Sequence, residues 1–245
     1  MKQINENVIL SCLFNIMLIT KTSDPPSRAV MMVAHALELT YDVVEPNTQV
    51  GELYQPEYME KNPMHTIPLL EDGDFVVVDS HAIAVYLVTK FGIEKRKTLY
   101  PEDVYLAATI DSRLHFDNGV LFTRLRSLTD PTLMGQLSGP TDEIIASVED
   151  AYQMLEGYLN KTQYLACDHF TIADICAGAT VTSLNTLIPV DNDRFPRVMQ
   201  WIESLYEQEC FIEYNSSGLS EFSAFINQCW DSNRNNHSGG FYMGR

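Results

Sequence analysis

Asn62-Pro63-Met64-His65-Thr66-Ile67-Pro68-Leu69-Leu70, followed a few residues on by Asp79-Ser80-His81-Ala82-Ile83, is the stretch from which the fold is read. Ile67-Pro68-Leu69-Leu70 and Phe75-Val76-Val77-Val78 are short apolar runs joined by Asp72-Gly73-Asp74. That turn-forming centre makes them a β-hairpin. An X-Pro bond adopts the cis form at modest cost. A cis bond at Ile67-Pro68 would turn the Ile67 N–H and C=O away from the sheet, where an extended peptide could pair with them as an added strand. Asp79-Ser80 opens the next helical segment, whose amide donors and dipole favour a carboxylate. The same two residues also read as a plain helix cap.

Outward from the hairpin the chain alternates strand and helix. Phe14 to Thr20 reads as a buried first strand. Asp24-Pro25-Pro26 starts a helix through Arg28 to Leu37, because Asp caps free amides and Pro fits the first turn. Tyr41-Asp42-Val43-Val44 is a short strand, Pro56 to Lys61 a short helix, and Ser80 to Phe91 a helix stopped by Gly92. The order β-α-β-α-β-β-α is that of a thioredoxin-like α/β domain. Lys95 to Glu102 is a charged linker, and everything beyond it is helical. Ile110, Leu114, Leu121, Leu125 and Leu128 share one apolar face; Ile144, Val148, Leu155 and Leu159 another; Leu219, Phe222, Ile226 and Cys229 a third. Thr171-Ile172-Ala173-Asp174 is a capping-box variant. The expected organisation is an N-terminal extension (1–12), a thioredoxin-like domain (13–92), a linker (93–103), an all-helical bundle (104–229) and a flexible tail (230–245).

Composition narrows the partners. Sixteen basic and 33 acidic residues give a net charge of −17, which repels phosphate backbones and anionic lipids and argues against nucleic-acid or membrane partners. The segment Val8 to Ile19 is apolar, but Glu6 precedes it, Asn15 interrupts it and no small-x-small cleavage site follows, so a secretory signal is not expected. No run approaches the ~20 apolar residues of a membrane span. The five cysteines form no CxxC and no Cys/His cluster at metal-ligand spacing. No metal is therefore expected, and scattered thiols fit a reducing cytoplasm. Cys176 reads as a small buried hydrophobe rather than a reactive thiol.

The two quoted segments together resemble the glutathione-site signature of insect delta/epsilon-class cytosolic glutathione transferases, and most closely the epsilon pattern NPxHTIPxL, hairpin, (E/D)SHAI. Leu114-His115-Phe116-Asp117-Asn118-Gly119-Val120-Leu121-Phe122 and Thr171-Ile172-Ala173-Asp174 are similar to the same family in order and spacing, over about residues 14 to 229. The resemblance implies a homodimeric enzyme that joins glutathione, its co-substrate, to hydrophobic electrophiles in detoxification. It places His65, Thr66, Ile67, Pro68, Asp79 and Ser80 at glutathione: Ser80 on the γ-glutamyl carboxylate, Asp79 on the α-ammonium, His65 on the glycyl end. A purely structural His65 is the alternative. His81 is implied at the subunit interface, with a buried histidine of the helix cap as the other reading. The second substrate is implied against the helix carrying Arg113, Asp117, Leu121 and Arg124; the two arginines read equally as surface ion-pair partners.

Two positions depart from that family. Its first helix opens Ser-Pro-Pro, with the serine hydroxyl on the glutathione sulfur, whereas this chain reads Asp24-Pro25-Pro26 with Ser23 one place earlier. A family histidine at the glycyl end falls on Leu53. An ionised carboxylate about 4–5 Å from a thiol would oppose the thiolate by roughly 3–4 kcal/mol at an effective dielectric near 20, on the order of two pKa units. The open readings are a protonated Asp24, Asp24 as a base through water, Ser23 in its place, or Asp24 as a helix cap turned from the ligand. A non-catalytic binder of glutathione or hydrophobic ligands on the same scaffold is thus the alternative function.

Overall fold

The computed structural model describes residues 16–47 and 51–238; the N-terminal extension and Cys12 lie outside the described residues. Among the latter, a four-stranded mixed sheet has the order β2-β1-β3-β4. Strand β1 (Ile16–Ile19) pairs in parallel with β2 (Asp42–Val44) and antiparallel with β3 (Leu69–Asp72), which forms the hairpin with β4 (Phe75–Val78). Central β1 is almost wholly buried, as expected of a strand covered on both faces.

Helix α1 (Pro25–Ala36) follows β1, a short 3-10 turn (Glu52–Tyr54) and α2 (Pro56–Lys61) lead into the hairpin, and α3 (Ser80–Phe91) follows β4. This is the element order expected from the sequence. The linker contains one short helix, α4 (Arg96–Leu99).

The helical domain comprises α5 (Val104–Phe116), α6 (Phe122–Leu133), α7 (Asp142–Leu159), α8 (Ile172–Leu187), α9 (Pro196–Leu205) and α10 (Ser216–Ser238). A single π-helical turn, Asp117–Leu121, joins α5 to α6, and another, Phe211–Asn215, leads into α10. Helix α8 is buried nearly all round and packs on α1, so one apolar core runs from the sheet into the bundle. The capping box forms as read: Asp174 accepts from the Thr171 amide and hydroxyl at 2.9 Å, and also from Leu165 N and Trp201 Nε1.

The tail assignment needs correction. Helix α10 continues to Ser238, because Asn233 donates to the Thr132 and Leu137 carbonyls and Arg234 to the Ser138 carbonyl. Polar residues that looked unstructured in sequence cap the end of α6 and the turn beyond it.

Candidate active site

The site grows out of two helix starts. At α1, Asp24 is the N-cap, and its Oδ2 accepts the Ser27 amide at 2.9 Å. Burial pushes this carboxyl above its usual range, against the lowering pull of the Ser27 hydrogen bonds, Arg28 and Lys21. At α3, Asp79 is the N-cap with φ of 76°, a left-handed conformation that is uncommon outside glycine. Its Oδ1 accepts the His81 and Ala82 amides, each at 3.0 Å, and its Oδ2 accepts from Asn118 Nδ2 at 3.3 Å. The Ile83 amide goes to the Asp79 carbonyl. Ser80 is the first residue of the helix, and it is buried beside these amides.

Between these starts lies the Ile67-Pro68 peptide, which is cis. The segment before it is built by Asn62, whose buried amide donates to the Thr66 carbonyl at 2.8 Å and whose Oδ1 accepts from Met64 N.

Two cavities meet here. The smaller, about 170 Å³, is walled by Met64, Thr66, Ile67, Pro68, Asp79, Ser80, His81, Asp117 and Asn118, with Cys176 at its back. The larger, about 570 Å³, is formed by Phe122, Leu125 and Leu133 of α6, by Phe222, Phe225 and Ile226 of α10, and by Ser23, with Arg126, Asp130, Lys21 and Glu221 as its charged members. Asp24, Ile67 and Phe122 line both. A smaller cleft, which carries Asp79, Ser80, His81, Asp117 and Asn118 among largely apolar surface, therefore opens into a larger apolar chamber, with Asp24 among the residues that line both.

His81 is tied within the chain: its Nε2 lies 2.8 Å from Asp117 Oδ2 and its Nδ1 3.7 Å from Asp79 Oδ1. Burial lowers the imidazole pKa, but the Asp117 hydrogen bond and the charges of Asp117 and Asp79 outweigh it, leaving a net rise. Among the described residues the buried Asp117 Oδ1 finds no hydrogen-bond partner. Burial likewise drives the Cys176 thiol well above its ordinary range, as befits a buried hydrophobe.

The sequence-derived residues divide. Ser23, Asp24, Thr66, Ile67, Pro68, Asp79, Ser80, His81 and Asp117 converge on the two cavities. His65, with φ of 46°, stacks on Tyr54 at 4.5 Å and lines neither of them. Arg113 lies 3.7 Å over the Tyr158 ring and donates to the Leu165 carbonyl. Arg124 faces Asp150, and Leu121 is core. The apolar chamber uses the neighbouring face instead, through Phe122, Leu125, Thr129 and Leu133. The π turn at Asp117–Leu121 causes the shift: its extra residue per turn rotates everything after it relative to an unbroken α-helical register. Among the described residues His35, Glu209 and Glu213 also bring potential ligand atoms within 4.8 Å of one another, at a surface away from both cavities.

This fold is shared with known proteins. The family "Glutathione S-transferase, N-terminal domain" matches residues 18–89, and "Glutathione S-transferase, C-terminal domain" residues 141–209. Glutathione S-transferase 1 of Manduca sexta is 38% identical over 198 residues, which is 80% of this chain and 90% of the relative. An epsilon-class glutathione S-transferase from the housefly, Musca domestica, superposes with a TM-score of 0.84 at 35% identity, covering 88% of this chain and 98% of that one. A glutathione transferase homologue from Drosophila mojavensis, solved with bound glutathione, gives 0.83 at 36% identity, with 88% and 98% covered. The chain belongs to the glutathione S-transferase family, among its insect delta- and epsilon-class members.

Proposed function

We propose that this chain joins the glutathione thiolate to hydrophobic electrophiles. The observation that carries the reading is the wall shared by Asp24, Ile67 and Phe122 between a cleft that holds Asp79, Ser80 and the Ile67-Pro68 peptide and a larger apolar chamber. Glutathione lies in the cleft as an extended peptide, its cysteinyl backbone against Ile67. Its γ-glutamyl carboxylate takes the Ser80 N–H and hydroxyl, and its ammonium faces Asp79. Sulfur then reaches the junction beside Ser23 and Asp24. There the thiol proton passes to solvent water and the sulfur lone pair forms a bond to the electrophilic carbon in the chamber. In a substitution the bond to the leaving group breaks and that group goes to solvent with its electron pair; in an addition the anion left on the adduct takes up a proton from water. The cleft's carboxylates suit the ammonium and oppose the thiolate, so the thiol is less activated than a hydroxyl would make it.

That opposition supports a second reading, a non-catalytic binder of glutathione or apolar ligands. A chromogenic conjugation assay beside a glutathione-affinity pull-down separates the two: turnover supports the first, binding without turnover the second, and neither removes both.

A homodimer is part of the proposal. A groove of about 880 Å³ between α3 and α5, walled by Ala82, Val85, Tyr86, Tyr100, Leu114 and His115, is the place for a second copy. Tyr105 on α5 is 84% exposed. Light scattering at the chain mass of 27.8 kDa would overturn it. We assign the protein to the cytoplasm on its scattered thiols; among the described residues no helix is long and apolar enough to cross a membrane.

A further inference from the structure

Arg28 is fully buried, and among the described residues its guanidinium is hydrogen-bonded by neutral groups rather than by a carboxylate. Its Nε donates to Asn215 Oδ1 at 3.0 Å, one terminal nitrogen to the Ser23 carbonyl at 3.0 Å, and the other to Ser183 Oγ at 2.5 Å. These partners come from the corner before α1, from α8 and from the π turn before α10. The guanidinium also lies 6.0 Å from the centre of the Phe222 ring, a wall of the apolar chamber. A buried cation bonded to neutral partners keeps its field. Close packing holds the same corner: a Cβ on Gly218 would sit 2.1 Å from the Thr22 carbonyl oxygen and 2.8 Å from Arg28 Cδ.

We propose that Arg28 is a positioning residue for this site: it fixes the Ser23–Asp24 corner to the helical domain and supplies the positive field felt by an anion where the two cavities meet. The proposal rests on the glutathione reading for its consequence, but its first measurement does not. The charged and titratable groups that act on Arg28 are Asp24 from its own corner and Tyr206 from the end of α9, and Lys21 acts in turn on Asp24. Asp79, His81 and Asp117 from α3 and the π turn, with Arg126, Asp130 and Glu221 from α6 and α10, face the cavities themselves. Among the described residues none of these side chains is hydrogen-bonded to the guanidinium, and Asp24 is the carboxyl on which its field acts.

The test uses the full chain. Carbon-detected NMR of labelled aspartates follows the Asp24 carboxyl without ligand in three variants. Arg28→Met removes fork and charge, Arg28→Lys keeps charge alone, and Asn215→Asp leaves the guanidinium in place but neutralises it. The expected result is an Asp24 midpoint raised by about one unit in Arg28→Met and in Asn215→Asp, with Arg28→Lys close to the unaltered protein. Glutathione binding by calorimetry, with thiolate absorbance, is expected to show about tenfold weaker capture of the anionic form in the same two variants. If Arg28→Met does not fold, Asn215→Asp carries the measurement. An Asp24 midpoint unmoved in a folded Asn215→Asp variant overturns the proposal. If the midpoints move as stated while the unaltered protein neither binds nor conjugates glutathione, the transferase reading falls and the role of Arg28 stands.

Discussion

Asp24 caps α1 through its Oδ2, which accepts the Ser27 amide at 2.9 Å, and the same residue lines both cavities. Helix cap and cavity wall are thus not alternatives at this position. Because Oδ2 is held by the cap, the acid cannot swing clear of the junction without uncapping the helix, which would cost about 1 kcal/mol.

Asp24→Ser is therefore expected to raise glutathione conjugation. Serine is itself a competent cap, removes the opposing charge and supplies a donor to the thiolate. Recovering one or two pKa units would raise the thiolate fraction roughly ten- to a hundredfold at neutral pH. The rate gain is smaller, since a less basic thiolate is a poorer nucleophile. The check is the pH profile of kcat/KM beside thiolate absorbance for both proteins. A native protein with an already depressed thiol pKa and a serine variant no faster would mean that Asp24 is no obstacle.

The same substitution carries a stability signature. Burial holds the Asp24 carboxyl above the unfolded value of 3.8, so between those two pKa values the native state binds the extra proton. Stability then falls as pH rises through that window and stays lowered above it. Asp24→Ser removes the effect, so the variant is expected to gain on the parent from acid toward neutral pH. Urea melts across that range test it. A stability difference that does not change with pH would place the carboxyl in ordinary solvent.

His81 and Asp117 give the same direction of pH dependence in a different pH window. The imidazole pKa is raised in the folded protein, so the stability it contributes is complete below its ordinary value of 6.5 and is lost as pH rises through the folded pKa. Asp117→Asn is expected to lower the His81 midpoint and flatten that pH dependence, read by proton NMR of the imidazole and by urea melts. An unchanged midpoint would mean that the 2.8 Å contact is not an ion pair in solution.

Much of this architecture was legible because local rules and tertiary context agree. The Asp72-Gly73-Asp74 turn, the Asp24-Pro25-Pro26 start and the Thr171–Asp174 box each name their own partners within a few residues, and all are found in place. What escaped was non-local. The π turn leaves no mark in apolar spacing, since Leu114, Leu121 and Leu125 are all buried, yet it rotates the register beyond it, so that Phe122, Leu125 and Leu133 rather than Arg124 wall the chamber, while Arg113, ahead of the turn, is held on Tyr158 and the Leu165 carbonyl. Asn233 and Arg234 find carbonyls about a hundred residues away, close to the separation of 96 in the Arg234–Ser138 contact, which no window on sequence can see. Arg28 read as a helix residue like any other; only the fold sets Asn215 and Ser183 around it.

The apolar chamber supplies the last prediction. Phe225, on α10, lines it while remaining 51% exposed, whereas its neighbour Phe222 is buried beneath it against Arg28. A half-exposed ring contributes little to folding but presents a broad apolar surface to a bound electrophile. Phe225→Ala is thus expected to leave stability within about 1 kcal/mol and the KM for glutathione unchanged. The KM for an apolar electrophile should rise roughly five- to thirtyfold, the equivalent of 1–2 kcal/mol of lost contact. A homologous series of electrophiles sharpens the check. Each added methylene that reaches the chamber wall gains up to about 0.8 kcal/mol, so log(kcat/KM) should climb with chain length in the parent and climb less in the variant. Glutathione and electrophile KM values rising together would indicate a disturbed α10 instead, and parallel chain-length slopes would place the electrophile somewhere other than against Phe225.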